Sequence, residues 1–248
     1  VFPEIGSIGP LTFHSFGLMV ALALVAAGWF LSLDARQRGL RSGFALETMV
    51  AGGVGGIVGA RVYYIADTGD TAGGVLSGSG LTWYGGVIGG ALLVVAVALW
   101  RRVPVGVVAN MAAPALAVGY SIGRVGCQLA GDGDYGTASS LPWAMSYPDG
   151  TVPTNEQVHP TPIYESLSLL VIFFVLWRLR ARFARPWSLF GLYALLAGTE
   201  RFLAELIRRN PEEVGALTTA QIISLGLVAI GAALLALTRR RPAQLAPV

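Results

Sequence analysis

Apolar residues in this chain come in long, nearly unbroken stretches, and short polar turns separate them. A helix that crosses a bilayer needs about 20 mostly apolar residues. Seven stretches qualify: His14–Leu33, Phe44–Ala66, Trp83–Trp100, Val105–Ile122, Pro162–Leu179, Trp187–Ile207 and Thr219–Leu237. The pattern predicts an all-α polytopic membrane bundle of about seven transmembrane helices, a single domain over 1–248. Arginine alternates across the turns. Arg36, Arg38 and Arg41 follow the first span, Arg101 and Arg102 the third, Arg180, Arg182 and Arg185 the fifth, and Arg239, Arg240 and Arg241 the seventh. The intervening loops carry Asp67, Asp70, Asp149 and Glu156. Basic loops stay on the cytoplasmic side, so the N-terminus is expected outside and the C-terminus in the cytoplasm. The longest loop, 123–159, then lies outside. With Pro142, Pro148 and Pro153 it is expected to fold as a periplasmic cap.

Composition supports the membrane reading. The chain is 54% hydrophobic and 12% charged, whereas soluble domains carry about a quarter charged residues. The mean hydropathy is +0.64. The first apolar stretch has no basic flank before it and no small-residue cleavage pattern after it, so no cleavable signal is read there. The sequence pI near 9.3 does not point to nucleic acid, because most of the arginines mark topology. One cysteine excludes an internal disulfide and a Cys-rich metal site. The only histidines, His14 and His159, do not make a zinc site, and neither a metal nor a cofactor is expected.

The second and third spans hold Gly52–Gly56 and Gly85–Gly90, with small residues four apart on one face. That spacing favours close helix packing; the other reading is bare backbone lining a lipid slot.

The richest segment is GYSIGRVGCQLAGDGDYG, from Gly119 to Gly136. It ends an apolar stretch, yet it holds Arg124, Cys127, Asp132 and Asp134. A Gly-rich turn leaving the membrane is the plain reading. A phosphate site built on the Arg124 guanidinium is the functional one. With orientation fixed, other polar residues fall at the same depth: Arg61 and Tyr64 of the second span, Tyr84 of the third, His159 to Glu165 (HPTPIYE) at the start of the fifth, and Glu200, Arg201, Glu205 and Arg208 towards the outer end of the sixth. Arg201 and Glu205 are four apart and can pair. Arg61 and Arg124 then add positive charge in surplus, which suits an anionic phospholipid headgroup. His159, before a proline at a helix entrance, reads as an orienting or capping group. Cys127 is either an arginine-activated nucleophile or a small buried residue in a tight turn.

These residues resemble those of the bacterial prolipoprotein diacylglyceryl transferase family. The likeness runs from HSFGLM (His14–Met19) to QIIS (Gln221–Ser224). Its markers are GARVYY (Gly59–Tyr64), LTWYGGVIGG (Leu81–Gly90), GRVGC (Gly123–Cys127), HPTPIYE, ERFLAELIR (Glu200–Arg208) and TTAQIIS. The resemblance implies a seven-helix body in the bacterial cytoplasmic (inner) membrane, with a site open to the outer leaflet. It also implies transfer of diacylglycerol from phosphatidylglycerol to the lipobox cysteine thiol of a lipoprotein precursor, so the implied partners are those two substrates and membrane lipids. Arg124, Arg201, Glu205 and Arg208 match the family pattern. Tyr84 stands where a histidine is common, Gly126-Cys127 where Gly-Asn is usual, GDGDYG (Gly131–Gly136) replaces the glutamate region with one extra residue, and Phe16 and Ala197 stand where tyrosines are frequent.

In the chemistry implied, a thiol loses its proton and displaces phosphate from a glyceryl carbon. Arg124 and Arg201 are assigned to the phosphate, with Arg61 and Arg208 in support and Glu205 orienting Arg201. Asp132 or Asp134 is the candidate base, the alternative being that both are solvated turn residues. Tyr84 is assigned to the glycerol or phosphate oxygens, and Tyr64, Gly85, Gly86, His159 and Cys127 to the substrate surroundings. Two rivals stay open: a divergent enzyme on the same body with another acceptor, and a noncatalytic lipid-binding membrane protein.

Overall fold

The computed structural model describes residues 1–9, 11–69, 82–210 and 217–240. Asp70, Leu81 and Arg241, which entered the readings above, lie outside the described residues. Among the described residues seven helices follow in order: α1 (Ser15–Gln37), α2 (Phe44–Thr68), α3 (Trp83–Trp100), α4 (Val105–Ala130), α5 (Thr161–Leu179), α6 (Ser188–Glu205) and α7 (Thr219–Arg240). Of these, α1, α2, α4, α5 and α7 are long and apolar enough to cross a membrane. Helix α3 is apolar but shorter, and α6 carries Glu200, Arg201 and Glu205. The chain is a helical membrane protein.

Two features depart from the expectations above, the first of them from the all-α class. Strands β1 (Glu4–Ile8) and β2 (Leu11–His14) form an antiparallel pair before α1, and β3 (Met145–Tyr147) and β4 (Thr154–Val158) form another between α4 and α5. The second pair anchors a small apolar core in which Tyr135 stacks on Tyr147 with ring centroids 5.0 Å apart and Val158 is fully buried.

The second departure concerns α4. It runs to Ala130, past the expected end at Ile122. Gly119 and Gly126 are therefore helical, and they serve close packing instead of a turn. A Cβ on Gly126 would meet Met19 at 3.0 Å, and one on Gly119 would touch Ala27 at 3.6 Å. The chain turns instead at Gly131 and Gly133, with φ of 59° and 91°, a left-handed backbone that glycine adopts readily.

Two compact units make up the chain, 1–27 with 109–248, and 28–108. In the first, Asn110 of α4 orders the entrance to α6. Its Oδ1 accepts from the backbone N–H groups of Leu189 (2.9 Å) and Phe190 (3.1 Å), and its Nδ2 donates to Arg185 O (2.7 Å). These are donors that a helix start leaves unsatisfied. Ser121 of α4 donates to Ser166 O of α5 at 2.8 Å. In the second unit, α2 and α3 meet backbone to backbone: a Cβ on Gly59 would stand 2.3 Å from Gly85 O, and only a bare α-carbon permits that approach.

Candidate active site

Arg124 sits on the last turns of α4 and is 6% exposed. Its guanidinium is held on three sides. Nε lies 2.6 Å from Oε2 of Glu165, a close ion pair that lacks hydrogen-bond alignment. Nη1 donates to Asp134 Oδ2 and to Cys127 Sγ at 3.5 Å. The ring of Tyr120, one helical turn earlier, has its centroid 5.8 Å from the Arg124 Cζ.

Glu165 is the hub. It lies one turn into α5, after the prolines that open that helix, and is fully buried. Besides Arg124 it accepts from Arg208 Nη1 at 3.2 Å and lies 3.8 Å from Arg201 Nη1. On α6, the four-residue spacing brings Arg201 Nη2 to 2.7 Å from Glu205 Oε2. Glu205 is fixed in turn by Thr218 Oγ1 (2.9 Å) and Asn210 Nδ2 (2.5 Å). Arg208, just past the end of α6, also binds Asp134 Oδ1.

The loop carrying Asp134 is tied down by backbone. Gly136 N donates to His159 O (2.8 Å), Thr137 N to Ile207 O (2.8 Å), and His159 N to Thr137 O (3.0 Å). Thr161 Oγ1 donates to Asp134 O. The segment is thereby stitched to the entrance of α5 and the exit of α6. Gly136 is needed there, since a Cβ would stand 2.5 Å from Ile207 O.

The two aspartates differ in environment. Burial alone would raise the Asp134 carboxyl, but the Arg124 and Arg208 guanidiniums outweigh it and hold the group down at about 2. Asp132 is pushed up, first by burial and then by the Asp134 charge. It accepts a hydrogen bond from the Asp134 N–H at 3.3 Å. One carboxylate is a fixed anion and its neighbour is the more basic of the two. Cys127, Asp132 and Asp134 place one ligand atom each within 4.8 Å of one another. Two guanidiniums already neutralise Asp134, so the trio is poorly suited to a cation.

Of the residues singled out in the sequence, Arg124, Cys127, Asp132, Asp134, Arg201, Glu205 and Arg208 come together here. His159 joins through its backbone, and its Nδ1 lies 3.4 Å from Tyr164 Oη. Arg61, Tyr64, Tyr84, Gly85 and Gly86 belong to the 28–108 unit. There Arg61 is 2% exposed, with its Cζ 5.2 Å from the Tyr64 ring centroid. Tyr84 is partly exposed on the first turn of α3, and Gly85 and Gly86 pack against α2.

Glu165 carries no assigned role in the sequence pattern, although a carboxylate one turn into an apolar helix is a signal in itself. The surplus of positive charge expected from arginine depth is not found in this unit. Within the 1–27 and 109–248 unit, Arg124, Arg201 and Arg208 face Asp134, Glu165 and Glu205, so the ion pairs balance. Hydrogen bonding is less complete than charge pairing: among the described residues, Glu165 Oε2, Glu200 Oε2 and Glu205 Oε2 accept no hydrogen bond, and guanidinium donors are left over as well. Arg124 Nη2 and Arg201 Nη1 are buried and donate to no acceptor among the described residues.

The family model for prolipoprotein diacylglyceryl transferase matches residues 3–237. A Clostridium tetani protein named phosphatidylglycerol–prolipoprotein diacylglyceryl transferase is 30% identical, over 92% of this chain and 94% of its own. Proteins of the same name from Chromohalobacter salexigens (30% identical, 95% and 92% covered) and Thermosynechococcus vestitus (31%, 90% and 88%) are similar to it as well. With the family model spanning nearly its whole length, this chain belongs to the prolipoprotein diacylglyceryl transferase family.

Proposed function

We propose that the protein transfers diacylglycerol from phosphatidylglycerol to the lipobox cysteine thiol of a lipoprotein precursor. It does so at the outer leaflet of the bacterial inner membrane, with seven helices spanning, the N-terminus outside and the C-terminus in the cytoplasm. The arginine alternation between the apolar stretches supports this orientation. The observation that carries the chemistry is the pair of buried donors, Arg124 Nη2 and Arg201 Nη1, on guanidiniums fixed by Glu165, Asp134 and Glu205. Donors held rigidly in a dry site stabilise charge as it develops on a departing phosphate, and they need no reorganisation to do so.

In the reaction the acceptor thiol gives its proton to a carboxylate. The sulfur attacks the glyceryl carbon that bears the phosphate, the carbon–oxygen bond breaks with its electron pair, and glycerol phosphate departs while a thioether forms. Asp132 is the base: its raised proton affinity suits it to that step, whereas Asp134 is committed to holding Arg124 and Arg208. Glu165 orients the arginines. No cofactor or metal takes part.

Purified protein incubated with phosphatidylglycerol and a lipobox peptide should yield S-diacylglyceryl peptide and glycerol phosphate in equal amounts. The gene should also restore lipoprotein modification in cells depleted of the usual enzyme. A folded protein that binds phosphatidylglycerol but gives no product with any thiol peptide would overturn this reading in favour of noncatalytic lipid binding.

A further inference from the structure

Within the 28–108 unit, the turn after α1, the start of α2 and the end of α3 enclose a cleft of about 340 Å³. This lies at the lower end of the range for small-ligand clefts, roughly 300–1,000 Å³. Arg41, Arg101 and Arg102 line it together with one acid, Glu47. Arg101 is spoken for: its Nε donates to Glu47 Oε2 at 2.7 Å, its Nη2 donates to Glu47 Oε1, and its Cζ lies 4.0 Å from the Trp100 ring centroid. Glu47 is thus neutralised, and Arg41 and Arg102 form no ion pair among the described residues. Two cations therefore exceed the acids lining this cleft.

The turn that presents Arg102 is unusual. Its φ is 57°, a left-handed backbone that is uncommon for a residue with a side chain and a reason to look for function. Glycine or asparagine would fit that turn with less strain, so arginine here runs against the local preference. Beside the cleft, Trp100 is 69% exposed. An exposed indole at a helix end belongs to the belt where headgroups meet acyl chains.

We propose that this cleft binds the phosphate of an anionic glycerophospholipid from the leaflet that the arginine-rich turns face. Arg41 and Arg102 clamp the phosphate, Arg101 is held in place by Glu47, and Trp100 lies along the glycerol and upper acyl region. Basic pockets at the cytoplasmic ends of membrane helices hold such headgroups by charge-assisted hydrogen bonds. The lipid serves as a fixed structural ligand, distinct from the substrate at Arg124, and the inference stands whether or not the transfer reaction proposed above is correct.

The test is native mass spectrometry of the full chain in detergent, titrated with phosphatidylglycerol or phosphatidylcholine. The variant is Arg41→Gln combined with Arg102→Gly, chosen because glycine suits the left-handed turn. The wild type should retain one more anionic lipid than the variant, whose affinity at that site should fall at least about tenfold. Phosphatidylcholine binding should be equal in the two. Diacylglyceryl transfer, measured alongside, should stay within about twofold of wild type, which separates this site from the substrate site. Equal retention of phosphatidylglycerol by both proteins would overturn the proposal. Equal protection against heating by inorganic phosphate alone would assign the cleft to a soluble anion and overturn it as a lipid site.

Discussion

Replacing Asp134 with asparagine tests the central cluster most directly. The side chain is 29% exposed and binds both Arg124 and Arg208. Its carboxyl is held at about 2 against an ordinary 3.8. At roughly 1.4 kcal/mol per pKa unit, that depression corresponds to about 2 kcal/mol of folded-state stability. Because the folded pKa is the lower one, the contribution is complete above pH 3.8 and is lost as pH falls through about 2. Asp134→Asn should therefore melt about 4–8 °C below wild type at pH 6, at 2–4 °C per kcal/mol for a chain of this size. The gap between the two proteins should close as the pH is lowered from 5 towards 2. Intrinsic tryptophan fluorescence in detergent follows both melts, and transfer activity at pH 7 should fall with the loss of a fixed Arg124. A gap that stays constant from pH 6 to pH 2.5, or no gap at pH 6, would refute the argument.

Arg124→Lys keeps the charge but cannot reach Glu165, Asp134 and a phosphate at once; transfer should drop by about a hundredfold or more, and near-normal turnover would remove Arg124 from the phosphate. Asp132→Asn should abolish the acidic limb of the pH–rate profile, which in wild type lies above pH 3.8 because this carboxyl is raised and accepts no proton once protonated; an unchanged profile would place the base elsewhere. Cys127→Ser should keep transfer within about threefold, because a thioether on Cys127 would be a dead end: an alkyl thiolate is a poor leaving group from carbon. A stable lipid adduct on the wild-type thiol, with activity lost in a folded Cys127→Ala protein, would instead establish a covalent route. Glu165→Gln leaves three guanidiniums around a fully buried position short of one charge and should lower stability by about 3–5 kcal/mol, read as poor recovery and early melting; wild-type stability would show that the three ion pairs with Glu165 carry little.

The helical stretches were legible because lipid demands long apolar runs, which can be read without any knowledge of contacts. The Arg201–Glu205 pairing was legible too, since a spacing of four fixes it within one helix. What escaped depended on partners far along the chain. Gly119 and Gly126 look like turn residues in isolation; only Ala27, Met19 and Phe16 packed against them show why the helix continues. Glu165 stood in a quoted motif, yet three arginines from two other stretches are needed to reveal it as a hub. Counting arginines by depth overstated the charge for the same reason, because the acids that balance them come from a loop and from α5. The β3–β4 pair is short, three and five residues with Pro148 and Pro153 in the connection between them, so its alternation is too brief to read.

Backbone bonds from Gly136 and Thr137 to His159 and Ile207 have a mechanical consequence. They rivet the Asp134 segment to the ends of two helices, and the Asp134 links to Arg124 and Arg208 add further rivets. A hinge at 136–137 would have to shear all of them at once. The floor of the site thus behaves as a rigid anvil, and a substrate as bulky as a two-chain lipid must be admitted by something other than the loop that carries Asp134.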